Sequence, residues 1–215
     1  MCYNSRPFYC CANATITIII MNDCIEQLTT NTPPKLAQHQ CDDLVGLFNQ
    51  CFQQSENTVL VKGDNEPLYL PQSETSPYHQ VIFAHGFFSS ALHEIAHWCI
   101  AGPQRRLLLD YGYWYQPDGR TQQQQTAFEQ VESKPQALEW IFSKAAGIRF
   151  FISADNLSGP PIDTSAFKQA IFRETLNYLE VGLPKRAQLF TEQLLNHYQP
   201  GLTLNNDQFS LTELI

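Results

Sequence analysis

The stretch "HQVIFAHGFFSSALHEIAHWCIAGP", residues 79–103, decides how this chain folds. Its first six residues are mostly apolar and include β-branched Val81 and Ile82, which predicts a buried strand. The strand runs out at His85-Gly86. Ser89-Ser90 offer an N-cap for a helix from about Ala91 to Ala101, and Gly102-Pro103 end it. That helix carries His93-Glu94-Ile95-Ala96-His97. Residues four apart lie one above the other on a helix face, so His93 and His97 can offer two imidazoles to one ion. Glu94 sits one step around and tends to reach a metal-bound water rather than the metal.

Upstream, "CDDLVGLFNQCF" places Leu44, Leu47, Phe48, Cys51 and Phe52 on one helical stripe. "NTVLVKGD" and "PLYL" read as short strands separated by a Gly63-Asp64-Asn65 turn. Downstream, "YGYWYQPDGR" is aromatic and then turn-forming, and Gln122 to Gln125 read as a surface loop. "QTAFEQVESKPQALEWIFSKAAG" has a helical pattern that Pro135 should interrupt. "SAFKQAIFRETLNYLEVG" and "KRAQLFTEQLLNHY" predict two closing helices. Strands early and helices late predict an α+β fold: a small mixed sheet packed with several helices, the H-E-x-x-H helix at the metal site.

The 215 residues suffice for one domain with a real core, expected over 39–215. Residues 1–38, which include the apolar "ATITIIIM", read as an N-terminal extension, disordered or from a mis-assigned start. That run is too short to span a bilayer, which takes roughly 20 residues, so no membrane association is expected. The net charge is −8 and no Lys/Arg block is present, which argues against nucleic acid as a partner. The seven cysteines are odd in number and form no C-x-x-C pair. Reduced thiols in a cytoplasmic protein are the expectation.

Two histidines hold a catalytic metal poorly, so a third ligand is needed. No H-x-x-G-x-x-H follows, which excludes the three-histidine arrangement. "FEQVESKPQALEW" offers Glu129 and Glu132, three apart on one helical face. Glu132 is preferred over Glu129; Asp110 and Glu139 are less attractive. Two His and one Glu make a zinc peptidase site, with Glu94 as general base, or a facial triad for non-haem Fe(II), with Glu94 orienting a ligand or moving a proton. Ligand identity alone leaves both open. His85 could add a polar group beside the site. Tyr111, Tyr113, Trp114 and Tyr115 could wall a cleft, and Asp118-Gly119-Arg120 reads as a plain turn unless the fold brings it to the cleft. Cys99 should face the core.

"KGDNEPLYLP", "VIFAHGFFSSALHEIAHWCIAG", "DYGYWYQPDGR" and "FEQVESKPQALEW", in this order, resemble the elongation factor P hydroxylase family, over about residues 40 to 205. The resemblance implies an oxygenase in a fold unlike the β-barrel oxygenases. Its members hydroxylate a lysine of elongation factor P that already carries a β-lysyl group. It implies Fe(II) on His93, His97 and Glu132, with O2 as co-substrate, and elongation factor P as protein partner. Glu94 matches the glutamate of the family's motif. The need for 2-oxoglutarate is left open: Arg105, Arg106 and Arg120 are clamp candidates by charge alone.

Overall fold

A computed structural model describes residues 39–112, 118–154 and 163–214. Helix α1 (Cys41–Phe52) buries Leu44, Leu47, Phe48 and Phe52, the stripe its apolar spacing predicts, while Cys51 is only half-buried at the margin. Strands β1 (Thr58–Lys62), β2 (Leu68–Leu70) and β3 (His79–Phe83) then build one sheet in the order β1-β3-β2. β3 pairs parallel with β1, Leu60 opposite Val81, and antiparallel with β2, Tyr69 opposite Val81. Partners in register share a face, so Leu60, Tyr69, Val81 and, two residues on, Phe83 form the buried side of the sheet.

From β3 the chain passes through a tight turn, Ala84–Gly86, into helix α2 (Phe88–Ile100). His85 and Gly86 both adopt left-handed backbone angles, φ 51 and φ 67. A side chain at Gly86 would also press on Lys62, whose Cε lies 3.2 Å from the position a Cβ would take. The expected Ser89-Ser90 cap is not formed. The helix begins at Phe88 and both serines lie in its first turn, where Ser90 Oγ accepts from the Ala84 amide at 3.1 Å. The turn is tight enough for a residue inside the helix to reach back to the end of the strand.

Helix α2 ends at Ile100, and Ala101 is extended, as Gly102-Pro103 predict. Its last carbonyls do not stay orphaned. Arg186 Nη2 donates to Trp98 O, Cys99 O and Ala101 O at 2.9, 3.1 and 2.6 Å. The same guanidinium lies 4.6 Å from the Trp98 ring centroid.

Helix α3 (Gln122–Ala146) corrects two expectations. Gln122 to Gln125 are its first turn, not a loop. Thr121 Oγ1 accepts from the Gln124 amide and Gln124 Oε1 accepts from the Thr121 amide at 2.8 Å, a capping box, and glutamine is a good helix former. Pro135 does not interrupt the helix. An internal proline costs about 3 kcal/mol, partly because the carbonyl four residues back loses its donor. Here that residue is Val131, on the exposed side. Beyond it Ala137, Leu138, Trp140, Ile141 and Phe142 are all buried, and their packing outweighs the defect.

Helices α4 (Ser165–Val181) and α5 (Lys185–Tyr198) close the chain with the predicted bounds. α3 is the central helix, packed against α2, α4 and α5. Phe48, Phe52, Trp98 and Phe190 tie α1, α2 and α5 together, with ring centroids 4.7 Å apart for Phe52 and Trp98 and 5.1 Å for Phe48 and Trp98. Trp140 packs against Phe150 and Phe209 on the other side of α3. The fold is α+β with a small open mixed sheet, and the described residues form no barrel. Ala37–Ile215 make one compact unit. The extension expected over 1–38 lies outside the described residues. No described helix is long and apolar enough to cross a membrane.

Candidate metal centre

The buried face of α2 is set by Ala91, Leu92, Ile95, Ala96, Trp98 and Cys99, which leaves His93 and His97 side by side on the flank turned to α3. From α3, Glu132 projects between them. His93 Nε2 and His97 Nε2 are 3.1 Å apart, and Glu132 places Oε2 3.5 Å from the first and Oε1 3.3 Å from the second. Ligands about 2.1 Å from a shared ion, at angles of about 90–110°, are themselves about 3.0–3.4 Å apart. The donor set therefore has the spacing one cation requires.

Glu132 is 1% exposed, and neither of its oxygens has a hydrogen-bond partner. A buried carboxylate without donors is costly unless a cation faces it. In the metal-free protein protons take that part. Burial works against a charge on His93, but the Glu139 carboxylate and its hydrogen bond, with Glu132 and Glu94, outweigh it and hold the imidazole up to about 10. Burial would likewise raise Glu132, but His97 and His93 outweigh it and hold the carboxyl down to about 2.

Glu139 is the residue that sequence reasoning undervalued. It is not a ligand; Oε2 lies 2.8 Å from His93 Nδ1 and accepts a hydrogen bond from it. That bond fixes the tautomer in which Nε2 is the free donor atom, and it orients the ring. A signal existed: Glu139 is seven residues, two helical turns, beyond Glu132, so the two share a face of α3.

Glu94 is partly buried beside the cluster. Burial raises its carboxyl above the ordinary range, and His93 and His97 offset this only in part. It lines a cavity of about 500 Å³ together with His93, Glu132 and Glu139. His97 opens on a different cavity, of about 440 Å³, lined by Tyr111, Arg105 and Val131. The cluster thus stands between two spaces.

Other sequence candidates are placed elsewhere. Glu129 accepts from Gln125 Nε2 at 3.1 Å and is outside the donor group. His85 is exposed in its turn, its ring 5.8 Å from that of Phe87. Asp110 Oδ1 accepts from the Tyr69 amide at 2.8 Å, and Tyr111 stacks on Tyr69 at 4.3 Å. Tyr111 lines the second cavity; Tyr113, Trp114 and Tyr115 lie outside the described residues. Cys99 is buried, which pushes its thiol far up and leaves it unreactive. Arg105 donates to Tyr111 O at 2.9 Å, and Arg106 pairs with Glu56 at 2.7 Å.

Arg120 is no plain turn residue. It is 2% exposed, donates through Nε to Gln125 Oε1 at 2.8 Å and through Nη2 to Ala154 O at 3.0 Å, and lies 3.9 Å from the Phe128 ring centroid. Nothing in "PDGR" signals this, because its partners come from α3 and from residue 154.

Two imidazoles and one carboxylate grouped at one point suit either zinc or non-haem iron, with positions left for exogenous ligands. Comparison with known proteins is more specific. A model of the family described as elongation factor P hydroxylase matches residues 47–209. A Haemophilus influenzae protein named elongation factor P lysine hydroxylase is 53% identical over 175 residues, covering 81% of this chain and 98% of that protein.

Proposed function

The chain belongs to the elongation factor P hydroxylase family, and from that premise we propose that it hydroxylates the β-lysyl-modified lysine of elongation factor P, with Fe(II) on His93, His97 and Glu132 and with O2. The single observation that carries the metal assignment is Glu132, buried with neither oxygen in a well-formed hydrogen bond and each oxygen within 3.5 Å of an imidazole nitrogen. Iron bound there supplies the O2 activation that hydroxylating an unactivated C–H bond demands and that side chains lack.

The chain's own residues do the rest. Glu139 locks His93 so that Nε2 faces the cluster. Arg186 caps the carbonyls at the C-terminal end of α2. Glu94, a carboxyl already raised by burial, is suited to hold a proton beside the reacting centre and release it. Arg105, Arg106 and Arg120 are each engaged by protein groups, so none is a ready clamp for a dicarboxylate. Acting on a translation factor would place the protein in the cytoplasm.

The test is direct. Iron-loaded protein, incubated aerobically with β-lysylated elongation factor P and an added two-electron reductant, which lets the second oxygen atom of O2 leave as water, should add the mass of one oxygen atom to the modified lysine. The zinc peptidase reading shares the ligand set and would instead make Glu94 the base on water. Peptide cleavage by zinc-loaded protein, with no mass gain on elongation factor P, would favour it.

A further inference from the structure

The cluster stands between two cavities, and they differ in charge. Among the described residues, the cavity on the His93 side is lined by four glutamates (Glu66, Glu94, Glu132, Glu139) and two arginines, Arg120 and Arg149. The cavity on the His97 side is lined by Arg105 and by no carboxylate. A metal at the cluster and its ligand Glu132 contribute to both alike, so the contrast rests on Glu66, Glu94 and Glu139 on one side against Arg105 on the other.

The mouths differ too. Phe87 and Phe151, each 62% exposed, line the first cavity. Glu66, exposed in the loop between β1 and β2, lines it as well and makes no ion pair among the described residues. The Arg149 guanidinium already lies 4.9 Å from the Phe151 ring centroid, so this rim accepts a cation over an aromatic face. Large exposed aromatics are costly to keep wet unless something covers them.

We propose that the substrate lysine enters through the His93-side cavity, its alkyl chain gripped by Phe87 and Phe151 at the rim and an ammonium met by Glu66 at the mouth. This rests on the hydroxylase reading and adds the route, the orientation and the residues that select a long cationic side chain. An aliphatic chain with a charged amine suits aromatic walls beside a carboxylate. It does not suit a cavity whose one charged lining residue is Arg105. The His97 side is left to small uncharged reactants and water.

The test places a matched charge change at each mouth. Glu66→Gln and Gln104→Lys each raise the net charge by one, the first by removing a negative charge, the second by adding a positive one at an exposed residue lining the His97-side cavity. Wild-type turnover of β-lysylated elongation factor P, with O2 and a two-electron reductant supplied, is measured first; its absence would sink the hydroxylase reading itself. With turnover established, Glu66→Gln should raise KM about threefold to fivefold, in line with one exposed ion pair, and Glu66→Lys by more. Phe87→Ala should raise KM by about fivefold as well. Iron content, melting temperature and kcat should hold in all three, which separates recognition from damage to the site. Gln104→Lys should leave KM unchanged. A larger KM effect from Gln104→Lys, equal effects from both mouths, or no effect from Glu66→Lys and Phe87→Ala would overturn the assignment.

Discussion

Replacing Glu139 tests how the metal centre is held, because this residue touches a ligand without being one. Its Oε2 accepts a hydrogen bond from His93 Nδ1–H at 2.8 Å, inside the body of the protein, at 6% exposure for Glu139. Glu139→Gln keeps an oxygen that can accept the same bond but loses the charge. Glu139→Ala loses both and leaves a half-buried N–H unpaired, at a cost of about 1–3 kcal/mol. It also frees the ring to turn, or to shift its proton to the nitrogen the metal needs. Loss of such an orienting carboxylate lowers metal affinity about 10–100-fold, equivalent to about 1.4–2.7 kcal/mol. The alanine variant should lose close to 100-fold in affinity and the glutamine variant about 10-fold or less. Anaerobic equilibrium dialysis against Fe(II), with Co(II) as a spectroscopic stand-in, measures it, and circular dichroism verifies the fold. Wild-type affinity in Glu139→Ala, with the fold intact, would refute the view that this bond presents His93 to the metal.

Further outcomes follow from the same geometry. Arg186→Ala removes three bonds to the end of α2 and the contact with Trp98, and should lower stability by about 2 kcal/mol in urea denaturation while leaving the ligands in place. Trp140→Ala empties the core beside Phe150 and Phe209 and should cost about 3–5 kcal/mol, read from the denaturation midpoint. For the metal-free protein the pH dependence has two limbs. Glu132, depressed to about 2, contributes stability above the unfolded carboxylate value of 4.5 that is lost as pH falls toward 2. His93, raised to about 10, contributes stability below 6.5 that is lost as pH rises toward 10. Metal replaces those protons, so the melting-temperature gain on adding metal should grow between pH 6.5 and 9; a flat gain would contradict it.

The strand-turn-helix unit at the heart of the fold was readable because each of its signals is local. β-branched residues make β3, His85-Gly86 the turn, Gly102-Pro103 the stop, and the four-residue spacing of the histidines their common face. Glu132 was readable as one of two carboxylates on a helix, and the structure separates it from Glu129 by pointing only Glu132 between the imidazoles. What failed needed partners distant in sequence. Pro135 stays inside α3 because packing on several sides of that helix outweighs a backbone defect. Gln122 to Gln125 are the exception: their capping box, Thr121 with Gln124, is local and stood in the sequence to be read. Glu139 and Arg120 gained their roles from His93 and from Ala154, which no short window of sequence contains.

The most direct measurement is metal analysis of protein purified without air, for wild type, Glu132→Ala and Glu129→Ala. Iron close to one per chain in wild type and in Glu129→Ala, and lost in Glu132→Ala, is the predicted result. Iron retained by Glu132→Ala, or zinc in wild type that iron loading does not displace, would contradict the account.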